Sequence, residues 1–239
     1  MSNETESKPY WHRRLLEPRA GLFAVLTTVV ISIGGLVEIT PMFTVTTAAH
    51  AEAAGIEPYT PLEVAGRDIY IREGCYVCHS QMVRPFRDET LRYGAWSRSE
   101  EYSWDRPFLL GSRRIGPDLF RVGGKYPDAW HYEHMKDPRS ITPQSLMPPY
   151  PWLARWKIDP EDVRASVVAL KRVGTPYTDE EVEQVPAALQ AQGQQIVDRM
   201  ATAGIQVAWD DEIVALTAYL QRLGKMNKTG KIADAGGAE

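Results

Sequence analysis

The two cysteines of this chain, Cys75 and Cys78, stand three positions apart, and His79 follows the second directly. Two thiols at that spacing, near the end of a helical turn, can each form a thioether to one vinyl group of the same porphyrin. The adjacent imidazole then stands under the iron as its proximal ligand. The pattern therefore implies one covalently attached haem c. Two other chemistries use the same pair. A structural zinc site needs four ligands, and no second cysteine pair exists to supply them. A redox dithiol of the thioredoxin kind expects a strand before the pair and a long helix after it. Here the preceding residues read as helix, and Pro85 would cut short any helix after the pair.

A low-spin electron carrier needs a sixth iron ligand, usually methionine or histidine. Met1 and Met42 lie in or before an apolar N-terminal stretch, Met82 is too close to His79 to reach the other face, and Met226 belongs to the tail. Met135, Met147 and Met200 remain. Met147 stands in Ser145-Leu146-Met147-Pro148-Pro149-Tyr150-Pro151, where the prolines favour a stiff, extended loop suited to presenting one side chain. Met135 falls in an expected helix, where filling a core is the commoner task. His131 and His134 stay open as alternative ligands. Gly116-Pro117-Asp118 reads as a turn, and a carbonyl beside Pro117 could accept the Nδ1 hydrogen of His79. Arg113 and Arg114, next to that turn, are the candidates for pairing with a haem propionate.

The elements that must position these groups read as helices, so the fold class is mainly α. The first runs from Leu62 to Gly74 and delivers the chain to Cys75. Others are expected over 127–136 and 160–173, over 179–200 in pieces interrupted by Pro186, and over 210–223. Gly66 and Tyr70 share one face of the first, and Leu216 and Tyr219 share one face of the last. A glycine there would let the two helices cross closely. Between them, from Ser80 to Ile115, the chain is irregular and alternates arginines with aromatic residues. That insertion is longer than a minimal haem wrap requires, and its composition suits a large interface.

From Ala20 to Val37 the chain carries no charge, which is long enough for a helix to enter a bilayer. Lys8, Arg13, Arg14 and Arg19 precede it, and no Lys or Arg occurs after it until Arg67. The positive-inside rule then puts the N-terminus in the cytoplasm and the haem segment outside. A cleaved signal peptide is the rival, with Ala49-His50-Ala51 as its site, but the apolar run is long for one and lies well before it. Glu38 near the outer end, with Gly34-Gly35 before it, suggests packing against other helices. The expected organisation is a cytoplasmic N-terminus over 1–19, an anchor over 20–40, a connector over 41–60, a haem domain over 61–223 and a disordered tail over 224–239. A formal charge of −4 gives no basic excess of the kind that marks nucleic-acid binding.

The stretches GCYVCHSQMVRPFRDE, YGAWS, RRIGPDLFRVGGKYPDAWHYEH and SLMPPYPWL resemble the monohaem cytochrome subunit of cbb3-type haem-copper oxidases, over roughly residues 10–223. The resemblance implies a single-span anchor in a bacterial inner membrane and a periplasmic haem domain. It implies that Cys75 and Cys78 hold the porphyrin, that His79 and Met147 ligate iron, and that Pro117 sits by His79. It also implies an electron relay to a catalytic haem-copper subunit that reduces oxygen. The electrons would come from a dihaem cytochrome c subunit or from a soluble or anchored cytochrome c donor. A nitric oxide reductase cytochrome subunit, a free-standing anchored carrier and a haem peroxidase are the rivals. No oxygen site is expected in this chain itself.

Overall fold

The computed structural model describes residues 10–44, 55–111 and 113–225. Half of the expected connector, the run Ala49-His50-Ala51 and nearly all of the expected tail lie outside the described residues. The chain divides into two units, residues 1–46 and 47–239.

The first unit contains α1 (Trp11–Leu15) and α2 (Ala20–Thr44). The 21 residues Ala20–Thr40 form a helix long and apolar enough to cross a membrane, and none of that apolar window is buried by the protein. At about 1.5 Å per residue such a helix spans roughly 30 Å, the thickness of a hydrocarbon core. Leu22, Phe23, Val30, Ile31 and Val37 are exposed. An apolar helix exposed all round is stable in lipid rather than in water. Glu38 is exposed near its end, and the positions where Gly34 and Gly35 would carry a Cβ are open.

The second unit is helical. No strand occurs among the described residues; an isolated bridge joins Lys157 and Asp211. Helix α3 (Pro61–Arg72) starts with proline in its first turn and a capping box in which Thr60 and Glu63 satisfy each other's backbone groups. After a short turn comes α4 (Cys75–Cys78), and then α5 (Arg87–Tyr93), α6 (Asp128–Lys136) and α7 (Pro138–Ile141). The remainder are α8 (Pro160–Arg172), α9 (Asp179–Glu183), α10 (Val185–Ala201) and α11 (Glu212–Arg222). The 179–200 stretch is helical in two pieces, as expected, with the break at Gln184 just before Pro186. Pro186 occupies the first turn of α10, where a missing N–H costs no hydrogen bond.

Helices α3 and α11 cross as the Gly66 pattern anticipated. A Cβ on Gly66 would overlap the Ala215 carbonyl oxygen and lie 2.8 Å from the Tyr219 Cβ. Beside this contact the Tyr70 and Tyr219 rings meet at 5.4 Å. Leu62, Val64, Leu189, Met200, Ile213 and Leu216 complete the core around the crossing.

The arginine-aromatic insertion is folded inward at several points. Arg67 on α3 donates from Nε to Asp105 at 2.7 Å and from its terminal nitrogens to the carbonyls of Arg106 and Pro107. Both side chains of the pair are about 95 % buried. Removing either partner of such a pair typically costs about 3–5 kcal/mol, because a buried charge is left alone. Tyr102 stacks on Phe120 at 4.7 Å, and the Trp104 indole N–H donates to the Ile56 carbonyl at 3.0 Å. Tyr102 and Trp104 are therefore core residues, whereas Phe86 and Phe108 face outward.

Candidate functional site

Helix α3 ends and α4 begins across Gly74, whose φ of +72° is a left-handed conformation that favours glycine. The single turn of α4 then sets the Cys75 and Cys78 side chains three residues apart, on neighbouring positions of one face. His79 leaves the turn in extended backbone, with its N–H on the Cys75 carbonyl at 2.9 Å. The His79 Nδ1 lies 2.8 Å from the Pro117 carbonyl oxygen. A carbonyl only accepts, so Nδ1 carries the proton and Nε2 keeps its lone pair. Burial lowers the pKa of this imidazole, which favours the neutral form.

Gly116 closes on the face of that ring. A Cβ there would overlap the His79 Cε1 and lie 2.7 Å and 2.8 Å from its two nitrogens. Only a glycine lets the backbone approach the imidazole this closely, and the sequence reading passed over it as part of a plain turn. The two segments are laced together. The Gly116 N–H donates to the Cys78 carbonyl at 3.0 Å, Leu119 to Ser80 at 2.9 Å, and Gln81 to Leu110 at 2.8 Å. Asp118, buried, accepts from the Ser80 hydroxyl at 2.6 Å and from the N–H groups of Met82 and Phe120 at 2.8 Å and 2.9 Å. Ser80 in turn accepts from Arg114 Nε at 2.7 Å.

Cys75, Cys78, His79, Pro117 and Met147 all line one cavity of about 520 Å³. That volume lies within the usual range for a cofactor pocket, about 300–1,000 Å³. Ile115, Leu119, Val122, Leu146, Leu216 and Leu220 give it largely hydrocarbon walls. Met147 is half-buried, with its N–H on the Ser145 hydroxyl at 3.2 Å. Its loop is tied down at the far end. The Tyr150 N–H donates to the Met135 carbonyl at 2.8 Å, and the Trp152 indole donates to Glu73 at 3.1 Å. Met135, His131 and His134 line the same cavity, whereas Met200 is fully buried elsewhere in the core. Tyr126, Trp130 and His134 form a stacked column in the wall, with ring centroids 3.9 Å and 4.5 Å apart. Their four-residue spacing was a signal that the sequence reading did not use.

Neither Arg113 nor Arg114 lines the cavity; its cations are Arg121 and Lys125. Arg113 is exposed. Arg114 turns away because Glu89 attracts it: Nη1 and Nη2 reach that carboxylate at 2.6 Å and 2.8 Å, and Nη2 also donates to the Met82 carbonyl at 2.7 Å. Arg121 is itself held by Glu101. Adjacency to Gly116-Pro117 in sequence says nothing about where a long side chain goes.

These residues suit a porphyrin. The walls are apolar, two thiols and a neutral imidazole with a free nitrogen face the space, and a thioether sulfur lines it too. Burial pushes the Cys75 thiol up to about 12, so it is un-ionised at neutral pH. A redox dithiol depends on the opposite, a lowered thiol pKa.

No curated protein matches the chain. A family model, described as Cytochrome C oxidase, mono-heme subunit/FixO, matches residues 12–227, which include the apolar helix and the whole cavity wall. The chain belongs to this family of mono-haem cytochrome c oxidase subunits, and its role is in electron transfer.

Proposed function

We propose that this chain anchors one covalently bound haem c outside a bacterial inner membrane and relays electrons within a cbb3-type oxidase. The observation that carries the reading is the convergence of Cys75, Cys78, His79 and Met147 on one apolar cavity, with the His79 Nδ1 fixed by Pro117. Cys75 and Cys78 would hold the porphyrin through thioethers, each S–H adding across a vinyl group with no oxidant consumed. His79, through Nε2, and Met147, through its sulfur, would hold the iron. Bound there, the haem supplies one-electron exchange.

The protein's own groups set the conditions. The Pro117 carbonyl orients His79 and raises its basicity as a ligand. Gly116 lets the loop close over the ring, and the hydrocarbon walls exclude water. A methionine ligand raises the potential relative to a second histidine, which favours acceptance of electrons from another cytochrome.

The N-terminus is cytoplasmic, residues 20–40 are the anchor, and residues 61–223 are the periplasmic haem domain. The chain accepts electrons from a cytochrome c donor, either a dihaem subunit or a soluble or anchored protein. It passes them to the catalytic haem-copper subunit. The exposed part of the insertion, with Phe86, Arg87, Phe108 and Arg113, docks on that subunit.

Two measurements on membranes solubilised in mild detergent test the reading. The chain is expected to retain haem stain after denaturation and to co-purify with a haem-copper subunit. Isolation as a lone haem protein would favour a free-standing carrier, and loss of the stain would contradict covalent attachment.

A further inference from the structure

Lys125 is exposed and lines the cavity, and its ammonium rests 5.4 Å from the centroid of the Tyr126 ring, itself part of the wall. Among the described residues that ammonium forms no hydrogen bond or ion pair. The other charges of the wall are engaged by the protein. Arg121 donates from Nε to the Ala95 carbonyl at 2.9 Å and from Nη1 to Glu101 at 2.5 Å. Its Nη2 donates to Glu101 at 2.8 Å and to the Trp96 carbonyl at 3.2 Å. Asp118, the one carboxylate among the described lining residues, is buried and accepts from Ser80, Met82 and Phe120. Lys125 is therefore the one cation of the described wall left without a counter-charge.

The place of Lys125 in the fold decides what it can meet. Helix α11 runs along the wall, where Leu216 and Leu220 line the cavity. At its start Glu212 accepts from Arg72 Nη1 at 2.7 Å, three residues before Cys75. At its end the Leu223 carbonyl accepts from the Gly123 N–H at 3.0 Å, and Gln221 Oε1 accepts from the Gly124 N–H at 2.7 Å, next to Lys125. The helical rise separates these two ends by about 16 Å. The thiols and the ammonium thus stand towards opposite ends of the wall. A haem c has the same polarity, since its thioether substituents and its two propionates lie on opposite edges of the macrocycle. With the thioethers at Cys75 and Cys78, the carboxylates point towards the end that carries Lys125.

We propose that the Lys125 ammonium pairs with a haem propionate and is a positioning residue for that edge of the porphyrin. The inference rests on the haem reading above. It also replaces the sequence's first choice, since Arg113 and Arg114 lie outside the cavity wall.

The test uses the full-length chain, purified in detergent with its haem attached. Lys125→Met removes the charge at similar length, and Lys125→Arg restores it. Loss of a positive charge beside the porphyrin favours ferric iron. The reduction potential of Lys125→Met is therefore expected to fall, and its propionate carboxylate band to shift in redox-difference infrared spectra. Lys125→Arg is expected to stay near the parent chain in potential. If Lys125→Met does not accumulate, Lys125→Gln carries the same two outcomes. An unchanged potential and carboxylate band with the haem retained would overturn the assignment. A lower potential with an unmoved carboxylate band would also overturn it, because a charge that does not touch the propionate moves the potential alone. Failure of haem stain in the parent chain would instead remove the haem reading itself.

Discussion

The stretch around His79 and the stretch from Arg121 to Met147 line the same cavity, but they are completed in different ways. Around His79, Nδ1, the Ser80 hydroxyl, both Asp118 oxygens and the N–H groups of Gln81, Met82, Gly116, Leu119 and Phe120 have protein partners. In the other stretch, both nitrogens of His131 and Nδ1 of His134 are buried without one. Polar groups that satisfy each other hold a geometry before any cofactor arrives, whereas orphaned ones add no such restraint. The first wall is preset by the chain, whereas the second keeps three buried ring nitrogens without a protein partner.

Removing the haem is the strongest way to break this contrast. In a Cys75→Ala, Cys78→Ala double variant, amides of 126–147 are expected to gain hydrogen exchange by about 100-fold or more, the signature of local opening. Amides of 79–82 and 116–120 are expected to change much less. Equal loss of protection in both stretches would show that neither wall is preset.

Gly116→Val attacks the preset wall directly. Its side chain must displace the His79 ring or the loop, at a cost of about 1–3 kcal/mol, and the Nδ1 contact with Pro117 is broken. Thermal melts should show the loss of stability, and the spectrum should report altered histidine ligation. A variant with unaltered stability and spectrum would mean that the loop does not close on the ring.

Acid sharpens the comparison with a smaller effect. Hydrogen bonding to Arg114, opposed by burial and reinforced by Arg84, holds the Glu89 carboxyl at about 2 against an ordinary 4.5. The folded pKa is below the unfolded one, so this group's contribution is present above about pH 4.5 and is lost as pH falls towards 2. Arg114 also holds Ser80. Glu89→Gln should therefore flatten the acid limb of a stability-against-pH curve measured by circular dichroism, and a curve parallel to the parent would contradict the pairing.

The features legible in the sequence divide along the same line. Local signals carried far: the Cys75-to-His79 spacing, the turn at Pro117 and the Gly66 crossing each depend on residues close together in the chain or on a helical period. Long-range pairings did not show. Nothing local announces that Arg67 will bury against Asp105, or that Arg114 will choose Glu89 over the cavity. Pro186 marked the break between two helical pieces; the break falls at Gln184 because proline is tolerated in the first turn of the helix that follows. His131 stands in the sequence as an alternative iron ligand; its two unpartnered nitrogens exist only in three dimensions.

The central claim is that His79 and Met147 ligate one covalently held haem. Met147→Leu in the full-length chain tests it through a combined spectrum and potentiometric titration. The account predicts retained haem stain, loss of the methionine–iron charge-transfer band and a lower reduction potential. An unchanged band and potential in Met147→Leu would contradict it and move the sixth ligand to His131, His134 or Met135.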